Sequence, residues 1–532
     1  MRLALAQIDT VVGDLDGNRD LILARIAEAR SARADLVVLP ELAVTGYPPE
    51  DLLLRPGFVR AARDSVERIA AETHGIVALV GAPLFDGHLY NACAICADGA
   101  ISGWAKKWHL PNYGVFDEKR YFTSGSELAL IDVAGRKVGI TICEDMWVPG
   151  PPTTELTAAG AELIVNLSAS PFHVGRAEER EAIFTSRARE SAVRVALCNA
   201  VGGQDELIFD GHSLLIETDG TVLARGPGFE EALLVVDLER PQDATIAPLG
   251  DEIEQMRQAL VLGLRDYVRK NDFDEIVVGV SGGIDSAVTA ALAVEALGSD
   301  RVHCVSMPSR YSSEATRTDA RLLAENLGCD FRELPIELVF EAFDSVLTES
   351  FVGRDPDLAE ENLQARIRGT LLMALSNKFG WLLVATGNKS ELSVGYSTLY
   401  GDLAGGFALI KDVYKTDVFR LAKWLNERAG RELIPQTIID RAPSAELRAD
   451  QLDEDSLPPY PKLDQVLEAY VEQDRSREEL GQDGFEAEVV ERALAMIDRA
   501  EYKRRQAPPG VKLRPKAFGR DRRTPITNRW PG

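Results

Sequence analysis

The segment from Glu275 to Leu297, EIVVGVSGGIDSAVTAALAVEAL, decides the fold of the second half of the chain. Its apolar and β-branched beginning, from Ile276 to Val280, is typical of a buried parallel strand. The strand pattern ends at SGGIDS, residues 281–286, and an Ala-, Leu- and Val-rich helix pattern follows. Paired glycines allow a sharp turn with N–H groups directed into it, and a helix N-terminus adds positive charge. The segment therefore predicts an anion site on a strand–helix turn.

The SGGIDS loop is not a Walker A loop, because the Gly-Lys-Ser/Thr ending is absent. It resembles the pyrophosphate loop of adenylating ATP pyrophosphatases, which release pyrophosphate and leave AMP on a carboxylate or carbonyl oxygen. The alternative is an ordinary glycine-rich turn. The residues that the resemblance places at the ATP phosphates are Gly279, Val280, Ser281, Gly282, Gly283, Ile284, Asp285 and Ser286.

Composition limits the possible functions. A chain of 532 residues predicts two or more domains, and a formal net charge of -25 argues against a general nucleic-acid binder. The sequence shows no signal peptide and no long apolar span, and its six cysteines are sparse, so we expect a cytoplasmic protein without membrane contact. Cys93 and Cys96 fall in a strand pattern and should face opposite sides, which argues against a metal or redox pair.

Residues 1–240 alternate between strand and helix patterns, which predicts a layered α/β domain. Three segments place polar side chains just after apolar strands, where functional sites tend to form. Glu41 follows VVLP, Lys107 lies in KKWHLP, and Cys143 follows VGITI. The Glu144-Asp145 pair after this cysteine predicts that the chain leaves the core there.

Together these segments resemble the carbon–nitrogen hydrolase (nitrilase/amidase) superfamily. The resemblance implies an α-β-β-α sandwich and a catalytic triad of Glu41, Lys107 and Cys143. A thiolate attacks a carboxamide to form a thioester, a carboxylate acts as general base, and a lysine stabilises the oxyanion. For glutamine-using members it also implies four residues at the amino-acid end of the substrate: Tyr113, Glu118, Ser170 and Arg176. For Glu118 and Arg176 the alternative is a surface salt bridge.

The second half reads as a nucleotide-binding domain. Residues 241–260 are predicted to be a linker that precedes a domain over 261–532. Strand patterns at RVHCVSMP, FRELPI and WLLVATG alternate with helices, so we expect a doubly wound parallel sheet with ligands beyond the carboxyl ends of its strands. Thr386, Glu391 and Lys415 should lie near that edge.

A magnesium site is predicted at the same edge. Mg²⁺ on phosphates prefers one or two carboxylates plus water, and Asp285 with Glu391 supplies such a pair. Lys415 is expected to neutralise phosphate charge. The alternatives are that Asp285 only caps the following helix and that Lys415 lies in solvent.

A narrower resemblance extends over essentially the whole chain. SGGIDS, ENLQARIRG, ATGNKSELSVGYSTLYGD and YKRRQAPPG together resemble the NAD⁺ synthetases, and the amidase half indicates their glutamine-dependent form. The resemblance implies that deamido-NAD⁺ contacts Asn362, Glu391 and Lys503. The basic C-terminal tail suggests a phosphate-bearing small molecule or an acidic partner surface, or else a solvated tail. No chemical role is predicted for residues 435–461.

These patterns predict ATP-dependent amidation of deamido-NAD⁺ with ammonia from glutamine, through an adenylate. An internal ammonia channel and a homo-oligomer, dimer to octamer, are expected with it. The alternatives are another adenylating glutamine amidotransferase and an inactive binding protein with the amidase fold.

Overall fold

The computed structural model describes residues 1–448 and 451–530. The chain divides into two compact units, residues 1–252 and 253–532. In the part of the chain that is described, no helix has the length and apolar character needed to cross a membrane.

The first unit contains two large sheets and the helices that cover them. Its elements are β1 (Arg2–Gln7), α1 (Leu15–Ser31), β2 (Leu36–Val38), α2 (Pro56–Ala71), β3 (Val77–Asp86), β4 (His88–Ala97), β5 (Ala100–Lys106), β6 (Leu130–Val133), β7 (Arg136–Ile142), α3 (Glu144–Trp147), α4 (Thr153–Ala158), β8 (Leu163–Ser168), α5 (Arg176–Ser191), β9 (Arg194–Asn199), β10 (Val201–Gln204), β11 (Leu207–Asp210), β12 (Leu214–Ile216), β13 (Val222–Arg225) and β14 (Ala232–Asp237).

The two sheets face each other. One has the order β14-β1-β2-β3-β4-β5 and the other β13-β12-β9-β8-β7-β6. Alternate residues of both sheets form a shared core, while the opposite faces pack on α1 and α2 or on α4 and α5. Cys93 lies in the core between the sheets and Cys96 in the core under the helices, which confirms that they face opposite sides. The α-β-β-α sandwich is confirmed.

A close contact between β3 and the segment after β2 also fixes the backbone that carries Glu41. Gly81 of β3 lies against the segment Pro40–Leu42, where a Cβ atom would overlap the backbone. The Gly81 carbonyl accepts a hydrogen bond from the Val44 N–H at 3.1 Å. A glycine at this position therefore allows β3 to hold the turn after β2 in close contact.

The second unit is built on one parallel sheet. Its elements are α6 (Glu252–Lys270), β15 (Ile276–Gly279), α7 (Ile284–Leu297), β16 (Val302–Ser306), α8 (Glu314–Leu327), β17 (Asp330–Glu333), α9 (Glu337–Leu347), α10 (Leu358–Phe379), β18 (Leu382–Ala385), α11 (Lys389–Val394), β19 (Phe407–Ala408), α12 (Lys415–Ala429), α13 (Gln436–Asp440), α14 (Tyr460–Leu467), α15 (Arg477–Gln482), α16 (Ala487–Arg499) and α17 (Glu501–Arg504).

The sheet has the order β17-β16-β15-β18-β19 with every pair parallel. Strands β16 and β17 are added on one side of β15, and β18 and β19 on the other. The carboxyl ends of β15 and β18 therefore lie on either side of the point where strand order reverses. The predicted doubly wound sheet is confirmed. Helix α6 begins at Glu252, so the segment without helix is shorter than the 241–260 linker expected from the sequence.

The basic C-terminal tail folds back onto the second unit. Arg514 pairs with Asp417, Lys512 pairs with Asp521, and both basic side chains are mostly buried. Arg504 is buried as well and pairs with Glu501. For these three residues the alternative of a solvated tail is wrong, because their charges are paired within the fold.

Candidate active sites

In the first unit, the side chains of Glu41, Lys107 and Glu118 meet in a buried cluster. Lys107 follows β5, and its Nζ lies 2.6 Å from Glu41 Oε1 and 2.9 Å from Glu118 Oε1. The side chains of Lys107 and Glu41 are 0% exposed. A buried ammonium is tolerated only when it is paired, and two carboxylates share this one.

Further hydrogen bonds fix the two carboxylates. Asn91 of β4 donates to Glu41 Oε1 at 2.7 Å, and the Ala169 N–H donates to Glu41 Oε2 at 3.1 Å. Tyr47 donates to Glu118 Oε1 at 3.0 Å. These donors come from separate segments, so the position of Glu41 depends on the assembled sandwich.

The nucleophile predicted from the sequence occupies a sharp turn between β7 and α3. Cys143 has φ 44° and ψ -102°, a conformation in which a residue with a side chain is strained. Its N–H donates to the Leu167 carbonyl at 2.8 Å, and Asn166 Nδ2 donates to its carbonyl at 3.3 Å. Strain of this kind is common where a side chain must be presented to a substrate.

The electrostatics of the cluster decide its protonation state. Burial raises the pKa of the Cys143 thiol well above its usual value, and Glu41 raises it further, while Lys107 lowers it. Burial alone would lower the pKa of the Lys107 ammonium, but the carboxylates of Glu118 and Glu41 raise it well above its usual range. The resting site therefore holds a neutral thiol beside a permanent cation, and the thiol needs a base to react.

The expectation that the chain leaves the core at Glu144-Asp145 is wrong for Asp145, which is 1% exposed. Its Oδ1 accepts hydrogen bonds from the N–H groups of Trp108 at 3.0 Å and His109 at 2.8 Å, and its Oδ2 accepts from the Ile142 N–H at 3.0 Å. Burial raises the pKa of Asp145 to about 6, although the backbone N–H groups lower it. No periodic signal in the sequence separates this buried carboxylate from its half-exposed neighbour Glu144.

The four residues predicted to bind the amino-acid end of glutamine lie in different environments. Glu118 belongs to the buried cluster, so a surface salt bridge is excluded for it. Ser170 is buried, and among the described residues its Oγ has no hydrogen-bond partner. Tyr113 is exposed and donates to Glu144, whereas Arg176 pairs with Glu179 at 2.8 Å and lies 3.9 Å over the Trp147 ring.

In the second unit, the SGGIDS loop forms the predicted turn between β15 and α7. The Gly283 N–H donates to Ser281 Oγ at 3.2 Å, and Ser286 Oγ donates to the Gly283 carbonyl at 3.0 Å. Gly282 has φ 80° and lies against the backbone of Thr316, so both its conformation and its surroundings require glycine. The loop is held in shape by its own hydroxyl groups.

Beside this loop, Lys415 lies between Asp285 and Glu391. Its Nζ is 2.6 Å from Asp285 Oδ2 and 3.0 Å from Glu391 Oε1. Lys415 is 2% exposed, so the alternative of a lysine in solvent is wrong. Asp285 accepts from Lys415 and from Asn388 Nδ2 at 2.8 Å, while the cap position of α7 is Gly283. The hydrogen bonds that Asp285 accepts from Lys415 and Asn388 thus lie across the site and not on its own helix.

Burial raises the pKa of Glu391 to about 8, because the desolvation outweighs the nearby Lys415 ammonium. Burial would lower the pKa of Lys415, but Asp285 and Glu391 raise it above its usual value. The Lys415 ammonium thus already supplies a cation beside the two side chains that the sequence predicts to hold Mg²⁺.

No role was predicted for residues 435–461, yet Asp453 belongs to this site. Burial raises its pKa, and the charges of Lys415 and Asp285 act on it. Tyr460 donates to Asp453 Oδ2 at 2.9 Å, and Oδ1 has no hydrogen-bond partner within the described part of the chain. Asn388, which caps α11, was also missed. Asp453 has no motif signal of its own, whereas Asn388 lies within the ATGNKSELSVGYSTLYGD segment and could have been found there.

The remaining predicted residues surround the segment after α11. Lys503 Nζ donates to the carbonyls of Gly395 at 2.7 Å and Ser397 at 2.6 Å, and Asn362 Oδ1 accepts from Thr398 Oγ1 at 2.8 Å. Thr386 is half-buried after β18. Asn362 and Lys503 thus contact neighbouring residues of one loop, residues 395–398.

Comparison with known proteins gives a family match for each of the two units. Residues 2–245 match the family described as carbon-nitrogen hydrolase, and residues 256–507 match NAD synthase. A glutamine-dependent NAD(+) synthetase of Thermotoga maritima is 45% identical over 100% of this chain and 99% of its own length. The chain belongs to the glutamine-dependent NAD(+) synthetase family.

Other members of this family support the assignment. A glutamine-dependent NAD(+) synthetase of Xylella fastidiosa is 46% identical over 100% of this chain and 99% of its own. The solved structure of the glutamine-dependent NAD+ synthetase from Acinetobacter baumannii, in complex with adenosine diphosphate, has 40% identity and a TM-score of 0.81. It covers 99% of this chain and 98% of that one. The similarity to family members spans both units.

Glu118→Gln is expected to lower kcat for glutamine hydrolysis by roughly 100-fold, since Lys107 loses one of its two carboxylates. KM for glutamine should change less than about threefold if Glu118 acts on Lys107. Steady-state glutaminase kinetics would measure both values. Asp117→Asn, an exposed neighbour, is the matched control. A large rise in KM with unchanged kcat would instead assign Glu118 to the substrate ammonium.

Proposed function

We propose that this chain is an ATP-dependent ligase that amidates deamido-NAD⁺ to NAD⁺ with ammonia released from glutamine. The observation that carries the proposal is the presence, in one chain, of a buried Glu41–Lys107–Cys143 arrangement and an SGGIDS loop beside Asp285, Glu391 and Lys415. Full-length similarity to family members supports the combination of these two sites in one activity.

In the first unit, Glu41 takes the thiol proton as Cys143 Sγ attacks the glutamine amide carbon. The proton transfer accompanies attack because the resting thiol is neutral. Lys107 stabilises the negative oxygen that forms, and Glu41 returns the proton to the departing ammonia. Water, activated by Glu41, then releases glutamate from the thioester.

We propose that four residues hold the amino-acid end of glutamine: Ser170, whose buried hydroxyl has no partner in the described part of the chain, and Tyr113, Glu144 and Arg176. Arg176 carries the charge needed for a carboxylate, although it pairs with Glu179 in this structure. Glu118 is assigned to the positioning of Lys107 because their atoms are in direct contact.

In the second unit, a nicotinate carboxylate oxygen attacks the α-phosphorus of ATP and pyrophosphate leaves. Ammonia then attacks the carbonyl carbon of the acyl-adenylate, and AMP departs. The SGGIDS turn binds the phosphates, and Lys415, with a pKa above its usual value, keeps a positive charge beside them. Asn362 and Lys503 are proposed to bind deamido-NAD⁺ through the loop that they hold.

The oxygen donors at this site fit Mg²⁺. Within residues 1–448 and 451–530, no group of three or more acidic, His or Cys side chains is arranged to hold a metal. Two carboxylates converge on one cationic atom, and Mg²⁺ on phosphates needs only one or two. Asp285 and Glu391 would hold the ion, which supplies charge stabilisation for the departing pyrophosphate.

The homo-oligomer, the ammonia channel and the cytoplasmic location remain predictions. Association into a homo-oligomer is supported by exposed Leu338 and Val346 on α9 and by exposed Val352 and Leu358 before and at the start of α10. An internal ammonia channel is expected because free ammonia is largely protonated at neutral pH. A cytoplasmic location is expected from the sparse cysteines, all six of which are free thiols.

Cys143→Ala should abolish glutamine-dependent NAD⁺ synthesis and leave ammonia-dependent synthesis within about twofold of wild type. The thiol is needed only for release of nitrogen, so supplied ammonia replaces it. Both rates would be followed by NAD⁺ formation, with Cys96→Ala as a control because that thiol lies in the core under the helices. Loss of both activities in folded Cys143→Ala protein would contradict the division of labour between the units.

Asp285→Asn should lower the rate of adenylate formation by roughly 1000-fold, equivalent to about 4 kcal/mol, because both Lys415 and Mg²⁺ lose a charged partner. Pyrophosphate release with deamido-NAD⁺ would measure this rate, and glutamine hydrolysis should persist. The control is Asp300→Asn, an exposed residue of the same unit. An ordinary rate with ordinary Mg²⁺ dependence would overturn the assignment.

A further inference from the structure

The buried carboxylate of Asp145 connects two segments of the amidase site. One segment, Lys107–His109, carries the oxyanion-stabilising lysine. The other, from Ile142 onward, carries Cys143 in its strained turn. Asp145 Oδ1 accepts two N–H groups of the first segment, at 3.0 and 2.8 Å, and Oδ2 accepts one of the second at 3.0 Å. A single side chain thus joins the backbone of the lysine segment to that of the cysteine segment.

The number and type of these hydrogen bonds require a carboxylate. Three donors converge on two oxygens, and the site has no place for a donor from the side chain. An asparagine has one acceptor oxygen, so its NH₂ group would face either the Ile142 N–H or the N–H groups of Trp108 and His109. At least one backbone N–H would then be buried without a partner, which costs more than the lost hydrogen bond itself.

A shift of the backbone at either contact would also move Lys107 or Cys143, which are its neighbours in the chain. Trp108 and His109 directly follow Lys107 in the chain. The N–H of Lys107 itself donates to the Asn91 carbonyl at 2.9 Å. Ile142 precedes Cys143, and the positive φ of that cysteine persists only while its neighbours hold it. Rate constants fall steeply when reacting groups are misplaced by about 1 Å.

We propose that Asp145 is a positioning residue that sets the distance between the Lys107 ammonium and the Cys143 thiol. The proposal rests on the function proposed above and adds a specific role within it. Asp145 does not contact the substrate in this role, and its effect appears in the chemical step and in the reactivity of the thiol.

Asp145→Asn should lower kcat for glutamine hydrolysis by roughly 100-fold, with KM changed less than about threefold. The variant should also slow alkylation of Cys143 by iodoacetamide at pH 8 by about tenfold. Lys107 lowers the pKa of this thiol, and a displaced ammonium leaves less thiolate. Labelling of the Cys143 peptide would be followed by mass spectrometry, so that it is separated from labelling at the partly exposed Cys329.

Asp132→Asn, an exposed residue of the same unit, is the matched control and should match wild type in both assays. Asp145→Glu keeps both oxygens and should recover at least part of the lost kcat. A lower thermal midpoint with wild-type kcat and wild-type alkylation would show a purely structural role and overturn the proposal.

Amide hydrogen exchange in the wild-type enzyme gives a test that does not depend on the folding of a variant. Strong protection at Trp108, His109 and Ile142 is expected, and rapid exchange at these amides would contradict the proposal. An inactive wild type would instead contradict the proposed glutaminase function, so the two failures are distinguishable.

Discussion

A buried lysine held between two carboxylates is the interaction on which both sites depend. The two centres are Lys107 with Glu41 and Glu118, and Lys415 with Asp285 and Glu391. Moving one such ion out of water costs several kcal/mol, and only well-formed partners offset that cost. Each centre therefore exists only when distant segments are correctly folded, which ties the chemistry of each unit to its packing.

The two folds reach this arrangement in different ways. In the sandwich, Lys107 and its partners follow strands of one sheet, and Cys143, the proposed nucleophile, follows β7 of the facing sheet. The pairing of two sheets therefore brings them together. In the second unit, Asp285 lies at the start of α7, while Glu391 and Lys415 belong to helices after β18 and β19. The parallel sheet places all three beyond the carboxyl ends of its strands.

Sequence patterns predicted the elements because strand ends and glycine turns leave local signals. SGGIDS, Glu41, Lys107 and Cys143 could be singled out in this way. The contacts of Glu118, Asp145 and Asp453 could not be predicted. An acidic residue in a sequence usually indicates an exposed position, and burial beside a distant partner leaves no periodic signal. Likewise, the direct contact of Lys415 with Asp285 joins residues far apart in the chain.

We propose that nitrogen released at the cysteine centre becomes the carboxamide nitrogen formed at the Lys415 centre. Glutamine labelled with ¹⁵N at its amide, supplied with ATP and unlabelled deamido-NAD⁺, tests this transfer when the products are followed by mass spectrometry. We expect ¹⁵N in the NAD⁺ carboxamide, with AMP and glutamate formed in equal amount to NAD⁺. Unlabelled NAD⁺, or ADP in place of AMP, would contradict it.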